Sequence, residues 1–462
     1  MNAAKCIIGG MCKQKGLGWG REPAAHIARM NPVPARDACP FIWHTGKQEE
    51  EIAMSRKSIN ADLTRREFVT TLGLAGLALA GGGATTALAA AEPPPATQAD
   101  TVPRRKLGKT GVDLSILSMG CMFDTINNQL LLKQALKWGV THWDTAEHYG
   151  NTLSEQGIGR FFSRNPEARK KVFLVTKLET KGGDLTKRLD QCLQRLQTSY
   201  LDLFLIPALA SIDELTPAIR DWATEMKKTG KFKFFGFATH TNMEDCLLGA
   251  AKLDWIDAVM TTYNFRVMNN PKMQEAVDAC AKAGVGLVAM KSQAGRPSGS
   301  EVPNDAKVDV GERFLERGFT DKQAKLKVVW ENPHIASICS QMHNLTILSA
   351  NVAAARDLTK LTREEMGAMQ RYALETRADY CAGCGKICQE AVGGALPVQE
   401  VMRCLMYYRY YGDPELARLI FTELPAQVRR RLAEVDYFQA EQACPNGLAI
   451  TELMRQAVEL LA

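Results

Sequence analysis

No run in this 462-residue sequence is long and apolar enough to cross a membrane: the strongest, Val69 to Ala80, has 12 residues, where a spanning helix needs about 20. There is no long basic block either. The 57 Lys+Arg and 51 Asp+Glu nearly cancel, leaving +6, so charge offers no argument for nucleic acid. A Gly-rich dinucleotide fingerprint after the first strand is also missing, which disfavours an open doubly wound sheet. What is present is 46% hydrophobic and 23% charged, the composition of a globular chain with a full core. At about 150 residues per domain, two to three domains are expected.

The apolar run is preceded by Thr64-Arg65-Arg66-Glu67-Phe68 and followed by Gly81-Gly82-Gly83 and Ala87-Leu88-Ala89-Ala90-Ala91. That order of charged, apolar and small residues resembles a twin-arginine export signal. A core helix is the alternative, but the Gly triplet and Pro93-Pro94-Pro95 would damage one. Met54 is the expected start, with residues 1–53 as upstream translated sequence whose Cys6, Cys12 and Cys39 are not ligands. Residues 54–91 then form the signal, cleaved near Ala89 to Ala91, and residues 92–102 a linker. The exported chain is nearly neutral and is expected in the periplasm, without a stable membrane span.

From Leu114 onward, short apolar β-branched runs alternate with amphipathic helical stretches. The strand candidates are Leu114–Met119, His142–Ala146, Val172–Lys177, Leu201–Ile206, Phe234–Thr239, Ala258–Tyr263, Gly286–Lys291 and Ser337–Gln341. Eight such units in about 250 residues predict an α/β fold, a closed (β/α)8 TIM barrel over residues 103–358. Arg104 to Asp113, turning at Lys109-Thr110-Gly111, reads as a hairpin capping the barrel bottom. The connection Ala294 to Phe319 is long enough to be a mobile lid or a disordered excursion. Chemistry in such a barrel gathers at the strand ends, which here carry Asp144, Lys177, Pro207, Thr239-His240, Asn264 and Lys291.

Trp143-Asp144-Thr145-Ala146-Glu147-His148-Tyr149-Gly150, then Ser154-Glu155 and Gly157-Ile158-Gly159, together with Val175-Thr176-Lys177, resemble the aldo/keto reductases from about Arg104 to Leu358. The resemblance implies catalysis by Asp144, Tyr149 and Lys177. Carbonyl reduction needs a proton donor, and a tyrosine becomes a useful acid near neutrality if a buried ammonium stabilises its phenolate. Such a lysine must itself be paired, the role implied for Asp144. The family's fourth strand reads D-L-x-L-x-H, with the histidine donating to the substrate carbonyl. Here Leu201-Asp202-Leu203-Phe204-Leu205-Ile206 runs into Pro207, which has no donor. Losing one such donor typically costs about 10²–10³ in rate. His240 is the candidate replacement, while His142 lies deeper and His148 is expected to face away from Tyr149. By position in the family, Thr239, His240, Asn264, Lys291, Ser340, Asn344 and Asn351 would line NADP(H) or NAD(H), although the glycine usual after the eighth strand is absent from Ser340-Gln341-Met342.

After Leu361 the period is helical, and Cys381, Cys384 and Cys388 appear close together, with Cys444-Pro445-Asn446-Gly447 later. In two-cluster ferredoxins the Cys-Pro of the second motif ligates the first cluster, which selects Cys444 as the fourth ligand. These residues and Leu405-Met406-Tyr407-Tyr408-Arg409-Tyr410-Tyr411-Gly412 resemble the C-terminal domain of exported iron-sulfur aldo/keto reductases. The resemblance implies a small all-helical, ferredoxin-like domain over residues 359–462 holding a 4Fe-4S cluster. A zinc site made of four cysteines, a disulfide among the close cysteines and a site without ligand remain open. Cys404 and the barrel cysteines Cys121, Cys192, Cys246, Cys280 and Cys339 are expected as small core residues.

The expected activity is that of an exported oxidoreductase acting on a small carbonyl or alcohol, with a redox partner protein. The rivals are a catalytically impaired barrel serving electron transfer or binding, and a scaffold stabilised by its cysteines.

Overall fold

The computed structural model describes residues 98–296, 318–394 and 396–462. The expected upstream segment 1–53, signal 54–91 and nearly all of the 294–319 connection therefore lie outside the described residues. No helix among the described residues is long and apolar enough to cross a membrane.

Two short strands, β1 (Arg104–Lys106) and β2 (Asp113–Ser115), form an antiparallel hairpin. Eight parallel strands then close a barrel: β3 (Leu117–Gly120), β4 (His142–Asp144), β5 (Phe173–Lys177), β6 (Leu201–Ile206), β7 (Phe232–Thr239), β8 (Ala258–Thr262), β9 (Gly286–Met290) and β10 (Ile335–Gln341), with β10 pairing back onto β3. Every residue of β6 is buried. The reason is that both strand faces are covered: Leu203 and Leu205 point into the barrel with Val175, Met260 and Val288, while Phe204 and Ile206 pack outward under the helices. The expected first strand is interrupted, because Leu114 and Ser115 pair with Arg105 and Arg104 in the hairpin and the barrel strand begins at Leu117. The other seven lie within about two residues of their expected positions, as is usual for element ends.

The hairpin closes the bottom. Leu107 and Leu114, fully buried, plug the barrel interior, and the Arg105 guanidinium donates to the carbonyls of Trp330, Asn332 and Ile335 around the start of β10. Close backbone approach demands glycine at one helix contact in particular: a Cβ on Gly159 would overlap the Arg195 carbonyl.

Beyond the last barrel helix, Leu345–Arg356, the described residues are helical or in turns, apart from one isolated bridge between Gln98 and Asp357. The helix Arg363–Glu375 starts with a reciprocal Thr362/Glu365 cap and buries Ala368, Met369 and Tyr372 in the barrel's outer core. A separate core begins only at Leu396, where the helices Val398–Arg409, Pro414–Glu423 and Ile450–Leu461 pack through Val401, Leu405, Phe421 and Met454. The division in packing thus falls nearer residue 396 than 359.

Candidate active site

At the top of β4 and β5, Lys177 Nζ lies 2.6 Å from both carboxylate oxygens of Asp144 and donates to the Thr145 carbonyl at 2.9 Å. Both residues are buried. Tyr149, on the loop leaving β4, places its ring with the centroid 5.1 Å from the same Nζ. The three residues expected to act together are therefore brought together. Burial pulls the Lys177 ammonium down, but Asp144 and Tyr149 outweigh it and hold it charged. Burial pushes the Asp144 carboxyl up against the pull of Lys177.

For Tyr149 the net direction differs from the sequence argument. Burial raises its phenol, and the opposing Lys177 does not bring it below the usual tyrosine value. The group stays protonated, a reserve of acid whose phenolate Lys177 steadies only as it forms. His148 also departs from expectation: instead of facing away, its ring meets Tyr149 edge-on at 4.9 Å between centroids. His142 is fully buried deeper in the barrel, bonded to Ser337 at 3.1 Å.

The rest of the motif holds this arrangement. Ser154 Oγ donates to the Cys121 carbonyl at 2.6 Å and bonds the Thr145 hydroxyl. Glu155, fully buried, accepts from Thr176 at 2.7 Å and Arg195 at 2.6 Å. Cys339, expected as a plain core residue, lies beside the trio with its thiol donating to Asp144.

The residues expected along a dinucleotide are mostly engaged with the protein itself. Thr239 donates to the carbonyls of Leu209 and Thr241. Asn344 caps the helix Leu345–Arg356 by accepting from Ile347, and Asn351 bonds Ser340 at 3.0 Å. Asn264 spends both amide hydrogens on the Lys291 carbonyl and the Tyr380 hydroxyl, at 3.2 and 2.9 Å, while its oxygen accepts from Arg266 N. Lys291 Nζ reaches the Tyr407 hydroxyl at 3.0 Å. Burial pushes Tyr407 up, but Lys291 and Arg403 outweigh it and bring the phenol down to about 8.

Tyr380, Arg403 and Tyr407 are functional candidates that local sequence pattern does not single out. A signal is present in the four tyrosines between Leu405 and Tyr411, since buried phenols need polar partners. Those partners come from the barrel mouth, more than 100 residues away in sequence.

Cys381, Cys384, Cys388 and Cys444 line one mostly apolar cavity with Met402, Pro445 and Leu448. All four are free thiols, so the structure holds no disulfide among them. Burial pushes the Cys384 thiol up to about 12 and Cys388 to about 11, with neighbouring cysteines of the set adding to the rise. Among the described residues, no three His, Cys, Asp or Glu side chains converge on a single metal ion. Cys404 is fully buried in the separate helical core, as expected.

The chain is 22% identical over 290 residues to L-galactose dehydrogenase of Arabidopsis thaliana, covering 56% of this chain and 90% of that protein. It is 23% identical over 313 residues to L-glyceraldehyde 3-phosphate reductase of Escherichia coli, covering 56% and 89%. Among solved structures, an aldo-keto reductase from Klebsiella pneumoniae in complex with NADPH matches with TM-score 0.49 and 19% identity over 59% of this chain and 95% of that one. A sequence profile described as the Aldo/keto reductase family matches residues 124–374. With more than half of its length inside that match, the chain belongs to the aldo/keto reductase family.

Proposed function

We propose that this oxidoreductase acts on a small carbonyl or alcohol at the barrel mouth, and that Cys381, Cys384, Cys388 and Cys444 hold a 4Fe-4S cluster beside it. The observation that carries the reading is the buried Asp144–Lys177 pair with the Tyr149 ring against the Lys177 ammonium, together with four free thiols lining one cavity. In the reducing direction Tyr149 gives its hydroxyl proton to the oxygen of the reacting carbonyl. Lys177 stabilises the phenolate left behind, and Asp144 keeps Lys177 charged. In the oxidising direction the phenolate takes the proton back.

NADP(H) is the hydride carrier that family membership implies. Asn264 and Lys291, whose donors are bonded to Tyr380 and Tyr407 in this structure, would hold its nicotinamide end, and it would supply the hydride that accompanies the Tyr149 proton. What supports a cluster is that four free cysteines line one mostly apolar cavity. A 4Fe-4S group bound there would supply one-electron transfer in exchange with a redox partner protein. The ferredoxin-like character of this helical region is what its resemblance to exported iron-sulfur aldo/keto reductases implies, although Cys388 comes one residue later than the third cysteine of bacterial ferredoxins.

Export by the twin-arginine route to the periplasm suits a protein that must fold around its cluster first. Pro207 favours a second reading, a barrel without turnover that serves electron transfer or binding. Anaerobic purification with iron, sulfide and nucleotide analysis, followed by carbonyl reduction in wild type and Tyr149→Phe, separates the two. Reduction that depends on Tyr149 supports the enzyme, and an iron-loaded protein that reduces nothing supports the second reading. Replacing Arg65 and Arg66 by Lys is expected to strand precursor in the cytoplasm, and unchanged export removes that part of the proposal.

A further inference from the structure

Pro207 leaves the end of β6 without a donor for a carbonyl oxygen, and one side chain beside Tyr149 is free to supply it. His148, on the loop leaving β4, sets its ring edge-on against Tyr149 with 4.9 Å between centroids. The residue is exposed at the mouth, and no hydrogen bond to another described residue engages its ring. The other candidates are committed elsewhere. His142 is fully buried lower in the barrel and bonded to Ser337. His240 Nε2 is buried, shielded from an incoming carbonyl, and the Tyr407 hydroxyl is taken up by Lys291. His148 alone combines access with closeness to the proton donor.

Its surroundings set its charge. Lys177 acts on it from β5, Arg403 from the helix Val398–Arg409 and Glu147 from its own loop. Partial burial first, then the two cations, bring the imidazole down to about 4 against the pull of Glu147. Near pH 7 the ring is therefore neutral and carries one N–H donor. So weak a base does not take the Tyr149 proton, and a neutral ring adds no charge beside Lys177.

We propose that His148 donates a hydrogen bond to the oxygen of the reacting carbonyl, in place of the donor that Pro207 lacks. The inference rests on the reading of Tyr149 as the proton donor. The carbonyl carbon gains the hydride from NADP(H), the C=O π pair moves onto oxygen, and Tyr149 gives that oxygen its proton. His148 keeps its own proton throughout and steadies the charge gathering on the oxygen. Both donors then come from one loop, so the oxygen is approached from the Tyr149 side rather than from the end of β6.

The test is steady-state reduction of 4-nitrobenzaldehyde with NADPH by the purified full chain, in wild type, His148→Phe, His148→Gln and Tyr149→Phe. His148→Phe keeps a ring against Tyr149 and loses the donor. It is expected to lower kcat about 10²-fold with KM nearly unchanged, because a donor to a developing oxyanion acts in the transition state. His148→Gln keeps a neutral N–H donor and is expected to recover about tenfold of that loss, a rescue that ring packing alone would not give. Unchanged kcat in folded His148→Phe, equal losses in the Phe and Gln variants, or an effect on KM alone overturns the inference. If His148→Phe does not fold, His148→Leu, which also lacks a donor, takes its place. A fall in Tyr149→Phe without one in His148→Phe removes only the role of His148. A wild type that reduces nothing, or that reduces as fast as Tyr149→Phe, removes the Tyr149 reading and this inference with it.

Discussion

The barrel mouth and the thiol cavity lie side by side, yet they bury their chemistry in opposite ways. At the mouth, charge is held against its opposite: Lys177 against Asp144, both buried, and, partly buried, Arg195 against Glu155 and Arg403 against Glu400. In the thiol cavity, four half-buried cysteines sit among mostly apolar side chains with no cation among the lining residues. A paired site is complete as the chain folds, because each ion already has its counterion. The thiol cavity has no such counterion, and burial favours the protonated form of Cys381, Cys384 and Cys388. The barrel can therefore be read from its side chains, whereas the cysteine site has to be read by what it would hold.

The largest effect that would upset this contrast is expected at Asp144. Asp144→Ala leaves Lys177 charged, buried and unpaired, and is expected to cost about 3–5 kcal/mol of stability, read from denaturant unfolding. A loss below about 1 kcal/mol would mean the pair is not buried as described. Tyr149→Phe keeps the ring over Lys177 and removes only the proton, so stability should hold while carbonyl reduction falls about 10²–10⁴-fold. Equal rates in wild type and variant would detach Tyr149 from the chemistry.

For the thiol cavity, Cys444→Ser is expected to remove most of the bound iron, measured per chain after anaerobic purification. Cys404→Ser, in the neighbouring core, should leave iron unchanged and cost about 1 kcal/mol, as a single buried polar change often does. Iron lost with Cys404 and kept without Cys444 would reverse the assignment.

The smallest effect concerns the seam between the regions. Tyr407, held down at about 8 by Lys291 and Arg403, should ionise well before the other tyrosines, giving a tyrosinate absorbance step in the near ultraviolet that Tyr407→Phe abolishes. Its folded value lies below the ordinary tyrosine value of 10.0, so the folded state binds fewer protons between those limits. The stabilisation from Tyr407 is therefore complete above about pH 10 and is lost as pH falls through about 8. Wild type should gain stability relative to Tyr407→Phe as pH rises across that window. A difference that stays flat would show that the phenol is not ionising against Lys291.

Much of the barrel is legible in sequence because strands buried on both faces read as apolar runs, as Leu201–Ile206 does. The trio is legible because its members are close in sequence or at neighbouring strand ends, where register fixes their approach: Asp144 pairs with Val175, two residues before Lys177. The direction of the Tyr149 shift is not, since it depends on how much water burial removes, and that is a sum over the whole mouth. His148 escapes sequence reasoning for a related reason: a loop residue's facing is set by packing rather than by period.

Local pattern alone thus suffices for the closed barrel and for the helical character of the cysteine-bearing end, through apolar runs and helical period, while the pairing of Asp144 with Lys177 near Tyr149 also needs the family resemblance carried by the motifs around them. Long-range packing was needed to bring Tyr380 and Tyr407 across to Asn264 and Lys291, and to place Arg363–Glu375 in the barrel's core. The two tyrosine contacts join residues more than 100 positions apart. Such contacts are chosen by shape and by the need of buried polar groups for partners, neither of which any short stretch of sequence encodes.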